Sequence, residues 1–449
     1  MADRQKPTSP IAWMTHAFSP STSSIADKRE SVQTSATSVM SRDQSIESFD
    51  RPESPTLPPE TETRESIDSI RYVPPIFPSD SGNTTHCGRD KETKRLSKRT
   101  QLPDPTAAAI ELSISAHVPS APAAGMYWSR AITYGKHPTK PLRAHSANLI
   151  GEYLYVFGGC DMKTCFNTLY VLDMDTLTWT KPSTTGQVPP PCRAHSCTTV
   201  ERLVGGKRSY SLYVFGGGNG PNYFNDLYVL NIDTLNWTKP KIQGKVPSPR
   251  RAHTTCLWNQ KIIVIGGGDG ARALADVYAL DISNPELLQW TEIETQGVSP
   301  IARGYHTSNL IKNKLVVYGG SDGHECFSDI FILDLQTYHW TQIELNRPIP
   351  RLAHTTTQVG SYLFVTGGYD GREYVNELLL LNLVTMSWEK RKVYGNPPCP
   401  RGYHVSVLYD SRLYVLGGYD GRHVFEDVYM LELSACAYLP QITNFDIDA

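Results

Sequence analysis

Leu413-Tyr-Val-Leu-Gly-Gly-Tyr-Asp-Gly421 decides the fold, because five other stretches follow its plan. They are Leu154-Tyr-Val-Phe-Gly-Gly159, Leu212-Tyr-Val-Phe-Gly-Gly217, Ile262-Ile-Val-Ile-Gly-Gly267, Leu315-Val-Val-Tyr-Gly-Gly320 and Leu363-Phe-Val-Thr-Gly-Gly368. The steps between successive glycine pairs are 58, 50, 53, 48 and 50 residues. Self-similarity at such a period marks a repeat architecture, in which each unit needs neighbours to bury its apolar faces. Each apolar run is only four residues long and rich in β-branched and aromatic side chains, which reads as a buried strand. A glycine pair ending such a strand is expected where backbone approaches backbone closely, or where φ is positive.

Other positions recur in register. A histidine stands thirteen residues before the pair at His145, His253, His306, His354 and His404. His195 stands 21 before it, and the extra eight residues, around Arg202 to Tyr210, are expected to form a longer hairpin loop. Asp161, Asn219, Asp269, Asp322, Asp370 and Asp420 follow the pairs at one offset. A second position, at Thr168, Asp226, Asp276, Asp329, Glu377 and Asp427, opens another strand. Trp179, Trp237, Trp340 and Trp388 close their copies 21 residues after the pair. Trp290 stands at 24, which implies three extra residues near Ser283-Asn284-Pro285. One unit is thus four strands joined by turns, and sheets packed radially cover each other's faces.

The glycine pair, the tyrosine-bearing strand, the tryptophan and an Arg-x-x-His ahead of the first strand together resemble the kelch-repeat family, over residues 127 to 435. The resemblance implies an all-β, six-bladed β-propeller of four-stranded blades. There are departures. Arg250, Arg303, Arg351 and Arg401 stand three before the histidine, but Leu142 and Cys192 occupy that position in the first two copies, with Arg143 and Arg193 one residue later. Leu379 stands where the other copies have an aromatic. The sixth copy lacks the tryptophan and has Tyr438 at its register, while Trp128 stands upstream without a copy of its own. The stretch from Trp128 to Gly135 matches that from Trp388 to Gly395. The N-terminal strand is therefore expected to supply the outer strand of the last blade. The rival is a strand near Ala437-Tyr438-Leu439.

Composition divides the chain. Of residues 1–122, 47 are Ser, Thr or Pro, and no apolar period persists. Such a segment cannot offset the entropy of ordering itself and reads as a disordered tail. The propeller is expected over 123–439, with a short tail at 440–449. Charge is nearly balanced, with 14 Lys and Arg against 16 Asp and Glu in residues 1–122 and 29 against 29 in the rest. That leaves no electrostatic footprint for nucleic acid. No apolar run is long enough to span a membrane, and no secretory signal opens the chain. Nine cysteines without paired spacing fit a reducing compartment, so the expected location is cytoplasmic.

No catalytic constellation stands out, and no cofactor or metal is expected. Equivalent histidines on six blades spread radially instead of gathering three or four ligands round an ion, so each is read as bonding its own turn. The Asp-Gly sequences after the pairs read as turns whose carboxylates accept backbone N–H bonds. The chain lacks the full Glu-x-x-x-Asp-x-x-x-His motif by which some kelch proteins bind iron, since Leu333 stands at its histidine. What varies between copies points instead to partner binding. The loops after the second strands carry Lys163, Arg272, His324, Arg372, Arg422 and His423, while Tyr223, Tyr305, Tyr374 and Tyr403 add aromatic area. The resemblance places these loops on one face around a central channel, where Arg and Tyr can anchor an interface. The expected function is a non-catalytic scaffold for protein partners, with acidic or phosphorylated segments favoured. The layout is similar to that of kelch proteins of fungal cell polarity and Ras signalling. The alternative is a kelch-type enzyme acting on a small molecule or sugar. Ser9, Ser19 and Ser54, each before proline, and Ser97 behind Lys94 and Arg95 are candidate phosphorylation sites.

Overall fold

The computed structural model describes residues 125–433 and 445–447. The expected disordered tail, its serines and the rival closing strand near Tyr438 lie outside the described residues. Among the described residues every regular element is a β-strand, and six antiparallel sheets form six blades. Blade 1 runs outward from Ser146–Ile150 through Tyr153–Phe157 and Leu169–Asp173 to Thr178–Thr180. Blades 2 to 5 repeat the plan over 196–238, 254–293, 307–343 and 355–389.

Blade 6 takes its inner strands from 405–432 and its outer strand from Met126–Ala131, which pairs antiparallel with Val428–Glu432. Trp128 faces Leu431 and is 3% exposed, so the N-terminal strand fills the place that a tryptophan strand fills elsewhere. The two ends of the repeat are thereby joined within one sheet.

Five blades carry a further edge. A two- or three-residue piece of the preceding linker runs parallel along the outer strand, at Tyr134–Gly135, Thr185–Gly186, Ile242–Gly244, Gln296–Gly297 and Val393–Gly395. Its glycine follows a tryptophan by seven residues in each copy. At Gly244 a Cβ would lie 2.1 Å from the carbonyl oxygen of Trp290, and φ is +83°, so only glycine fits against that strand. Blade 5 lacks this edge because the linker after Trp340 has Arg347 at the glycine position. The side chain of Asn346 substitutes in part, accepting a hydrogen bond from Trp388 N at 3.2 Å. Beside it, within the expected C-terminal tail, Ile447 is buried and Phe445 packs in the cluster shared with Trp388, Leu345 and Ile349.

Six apolar clusters each lie between neighbouring blades, and a seventh, smaller one gathers Leu352, Ala353 and Tyr369 under Tyr305, Tyr374 and Tyr403. The alternating faces of the two middle strands of each blade are buried against different neighbours, which is why strands such as Tyr362–Thr366 and Ile330–Asp334 are apolar on both sides, while the innermost strands are half-buried and more polar. Outer tryptophans bridge the gap: Trp237 packs on Phe157, and Trp290 on Phe215, with ring centroids 5.0 Å apart in both pairs. The eight extra residues of copy 2 do not form a loop. They lengthen both inner strands to nine residues, Ser196–Val204 and Lys207–Phe215, joined at Gly205-Gly206. Both glycines have positive φ, the requirement of a two-residue turn that matches strand twist.

Replacing Trp128 by Ala is expected to cost about 3–5 kcal/mol, the usual penalty for truncating a large buried aromatic. A chain beginning at residue 125 should melt like the full chain, and one beginning at residue 132 should melt well below it. Thermal denaturation of the three proteins checks this, and equal melting of the two truncated chains contradicts the strand's role.

Candidate functional site

The wall of the central channel is built from the residue ahead of each repeat histidine. Ala144, Ala194, Ala252, Tyr305, Ala353 and Tyr403 all have φ between 50° and 59°. This left-handed turn aims each N–H at the carbonyl of the equivalent residue one blade back. The bonds run Ala194 to Ala144, Ala252 to Ala194, Tyr305 to Ala252, Ala353 to Tyr305, Tyr403 to Ala353 and Ala144 to Tyr403, all at 2.8–2.9 Å. They close a ring. A second ring links each pair's later glycine to the following blade, from Gly159 N to Cys192 O through to Gly418 N to Leu142 O.

The histidines stand just outside this ring and are read differently from the sequence expectation. Five of them bond a hydroxyl of the neighbouring blade, although His195 Nδ1 also meets Cys192 Sγ of its own turn at 3.5 Å, and for His145 the matching position is Val405, without a hydroxyl. His195 Nε2 is hydrogen-bonded to Ser146 Oγ at 2.9 Å, His253 to Ser196 at 2.9 Å and His404 to Thr355 at 3.1 Å. Each histidine also packs beside a glycine pair: a Cβ on Gly158 would meet the His195 ring at 2.7 Å. Burial drives every one of these imidazoles toward the neutral form. His145, His306 and His404 are lowered to about 3 and His195 to about 4, while His253 and His354 fall well below the ordinary value.

Two sets of arginines serve different purposes. Arg250, Arg303, Arg351 and Arg401 are fully buried and grip Asp276, Asp329, Glu377 and Asp427 at 2.5–2.6 Å. In blade 1 both partners are replaced, by Leu142 and Thr168. Arg143 and Arg193 therefore do not stand in for the missing guanidinium. They match Arg251 and are buried at the rim, each bridging the strand after its own glycine pair. Blades 1 to 3 thus give the rim Arg143, Arg193 and Arg251, and blades 4 to 6 give it Gly304, Leu352 and Gly402.

Tyrosines fill the second half. Tyr305 and Tyr403 meet edge to face with centroids 5.3 Å apart, Tyr374 lies 6.5 Å from Tyr403, and Tyr369 and Tyr419 flank Tyr374 at 5.3 and 5.9 Å. Burial raises the phenols of Tyr223, Tyr374 and Tyr403, which keeps them neutral donors. Arginine meets tyrosine between blades 6 and 1, and again between blades 2 and 3 within the arginine half. The Arg143 guanidinium sits 4.0 Å above the Tyr419 ring, and that of Arg251 4.5 Å above Tyr223.

The sequence-selected residues are distributed as follows. Tyr223, Arg272, Tyr305 and His324 line one cleft of about 220 Å³ with Arg251 and Asp322. Tyr305, Tyr374 and Tyr403 share the aromatic cluster. Lys163, Arg372, Arg422 and His423 are exposed on the loop tips of blades 1, 5 and 6, outside that cleft. Their backbones are held by the Asp turns read from the sequence: Asp370 Oδ1 accepts from the N–H of Arg372 at 2.7 Å, and Asp420 Oδ1 from His423 at 2.6 Å. Sequence reasoning overlooked the rim arginines as a set. The signal was available, because the position two before the histidine varies between copies. Among the described residues no group of three or more His, Cys, Asp or Glu side chains is gathered as a metal ion would need.

Six radial sheets closed in a ring define a β-propeller. The chain belongs to the kelch-repeat family: residues 117–210, 207–347 and 345–444 match the KLHDC2/KLHL20/DRC7 Kelch-repeats domain. It is 31% identical over 207 residues to Acyl-CoA-binding domain-containing protein 4 of Arabidopsis thaliana, covering 44% of this chain and 29% of that protein. Host cell factor 2 of Homo sapiens is 27% identical over 296 residues, covering 48% and 37%. The Rab9 effector protein with kelch motifs of Xenopus laevis is 31% identical over 182 residues, covering 40% and 48%. The chain spans less than half the length of each of these curated relatives.

Acid should unfold this protein through its histidines. An unfolded histidine takes up a proton near pH 6.5, whereas the folded ones resist until about pH 3–4. Between those limits the unfolded state binds more protons, so stability falls as pH falls, by up to about 1.4 kcal/mol per pH unit for each histidine. Melting temperature is expected to drop steeply from pH 6.5 to pH 5. A level profile across that interval contradicts the assignment.

Proposed function

We propose that the protein is a non-catalytic scaffold whose propeller captures a protein partner at the channel mouth. The observation that carries this reading is the division of the rim into three guanidiniums on blades 1 to 3 and a tyrosine cluster on blades 4 to 6. An acidic or phosphorylated segment with an apolar or aromatic neighbour complements both halves. The exposed guanidiniums of Arg272, Arg372 and Arg422 offer forked, charge-assisted donors to carboxylate or phosphate, the buried Arg143, Arg193 and Arg251 add positive charge beneath them, and the tyrosines offer rigid area and neutral hydroxyls. Arg272 with a side chain 80% exposed, and Arg372, Arg422, His423 and Lys163 on the tips, extend the positive reach outward. Arg and Tyr are the residues that most often anchor interfaces. Tyr305 and Tyr403 add a second argument. A bulky residue at positive φ is strained by roughly 1–3 kcal/mol where alanine serves four other blades, a cost expected where the side chain has work to do.

Supporting this reading, one relative is named as a Rab9 effector. The described cysteines are all free thiols, in keeping with a reducing, cytoplasmic setting. A place in cell polarity or signalling assemblies is the pathway reading that goes with it. For an enzyme acting on a small molecule, the cleft at Arg272 and His324 is the best location. Its volume of about 220 Å³ falls below the roughly 300–1,000 Å³ usual for ligand pockets.

The test uses acidic, phosphorylated and basic peptide pools, each displayed with and without aromatic residues, against the parent and the Arg272→Ala, Arg372→Ala, Arg422→Ala triple variant. Parent protein is expected to retain the acidic or phosphorylated aromatic pools. The variant should retain them at least about tenfold less well, the effect of losing one or more charge-assisted bonds, with an unchanged melting curve. Equal retention of basic pools by the parent overturns the charge argument. Unchanged retention by the variant moves the contact inward to the rim.

A further inference from the structure

We propose that Cys160 and Cys165 are a reversible dithiol–disulfide site at the channel mouth, oxidised by a small hydroperoxide. This site does not depend on what partner the propeller captures.

The two cysteines face one another across the blade 1 hairpin that carries Lys163. The flanking hydrogen bonds run from Asp161 N to Thr164 O at 3.0 Å and from Phe166 N to Gly159 O at 2.8 Å. Cys160 and Cys165 therefore form a non-hydrogen-bonded pair between those two bonds. Such pairs bring Cα atoms to about 4.5 Å, within the 4.4–6.8 Å that a disulfide requires. Both are free thiols, Cys160 buried and Cys165 half-buried.

The surroundings favour one negative charge on the pair. A hydrogen bond from Cys165 holds Cys160 below the usual thiol range, and the nearby Arg143 and Arg193 guanidiniums act in the same direction. Elsewhere burial pushes thiols the other way: Cys192, Cys197, Cys256 and Cys326 are all raised to about 12. The repeat does not demand sulfur at these two positions. The matching pairs in later blades are Ser321 with Cys326, Tyr369 with Tyr374 and Tyr419 with Val424.

The pair starts as one thiol and one thiolate, with the proton on Cys165, which its bond to Cys160 and burial hold in the thiol form. The Cys160 sulfur attacks a peroxide oxygen. The O–O bond breaks, hydroxide leaves and Cys160 becomes a sulfenic acid. The Cys165 thiol then attacks that sulfur. The S–S bond forms, the S–O bond breaks, and the hydroxyl leaves with the thiol proton as water. The two sulfurs lose two electrons and the peroxide gains them. A cellular dithiol reverses the step by exchange. Disulfides in reducing compartments are usually of this transient kind.

The experiment uses the full chain, reduced and then exposed to hydrogen peroxide, quenched with N-ethylmaleimide and digested with trypsin without reduction. Trypsin cuts after Lys163, between the two cysteines, so a disulfide joins two peptides that mass spectrometry otherwise finds apart. The joined species is expected to form roughly tenfold faster than oxidation of the exposed Cys399, because the partner sulfur lies beside the oxidised one, and to vanish with dithiothreitol. In the Cys165→Ser variant, Cys160 should be trapped by dimedone as the sulfenic acid. The proposal is overturned if both cysteines remain alkylated once Cys399 is oxidised, if either bonds another cysteine instead, or if Cys160 in the variant yields no dimedone adduct.

Discussion

Six hydrogen bonds between the left-handed residues of successive blades set the dimensions of everything else. The N–H of each such residue reaches the carbonyl of its counterpart, and the last bond, from Ala144 to Tyr403, returns to the start. A single backbone hydrogen bond contributes only about 1 kcal/mol net. Their collective effect is geometric, because a ring of identical bonds admits one radius and one blade angle. The glycine pairs follow from it. At Gly367 and Gly368 the chain turns with φ of +59° and +96° while the neighbouring histidines and carbonyls stand within 3 Å of any added Cβ. A side chain there would push the blades apart at the point where the ring must close.

The buried histidines belong to the same device. Each lies against a glycine pair, and five of the six bond a serine or threonine of the adjoining blade, in the pattern shown by His253 with Ser196 and His306 with Thr254; for His145 that position is Val405. Seams between blades are therefore stitched twice, by backbone near the axis and by imidazole just outside it. Further out, the apolar clusters and the tryptophans complete the contact. The buried pairs of Arg250, Arg303, Arg351 and Arg401 with carboxylates hold each blade's loop to its own third strand. Such pairs fix geometry more than they add stability, since desolvation offsets much of the attraction.

With the frame fixed by recurrent residues, the variable ones are free to differ by blade. The rim uses this freedom unevenly. Three consecutive blades contribute arginine and three contribute no charge, so a six-fold frame carries a two-sided mouth. The strained conformations of Tyr305 and Tyr403 are tolerated because the ring of hydrogen bonds over-determines them.

The six-unit architecture, the strand positions, the turn role of the aspartates and the N-terminal closing strand were legible in the sequence. Period, apolar runs and the stray Trp128 are local signals, and each reports a constraint that acts on its own neighbourhood. Three things were not legible in that way. The extra residues of copy 2 read as a loop, yet Gly205-Gly206 lets them continue as strand. The histidines read as partners of their own turns, yet their hydroxyl partners lie on the next sheet, dozens of residues away in sequence. Arg143 and Arg193 read as displaced copies of Arg250, whereas a shift of one residue turns a strand side chain to the opposite face and sends them to the rim. The sequence by itself determined which elements form and how many times, because those depend on periodicity and on residues near in the chain. Tertiary structure alone decided which side chains meet, because a ring brings together positions about fifty residues apart whose spacing along the chain says nothing of the direction they face.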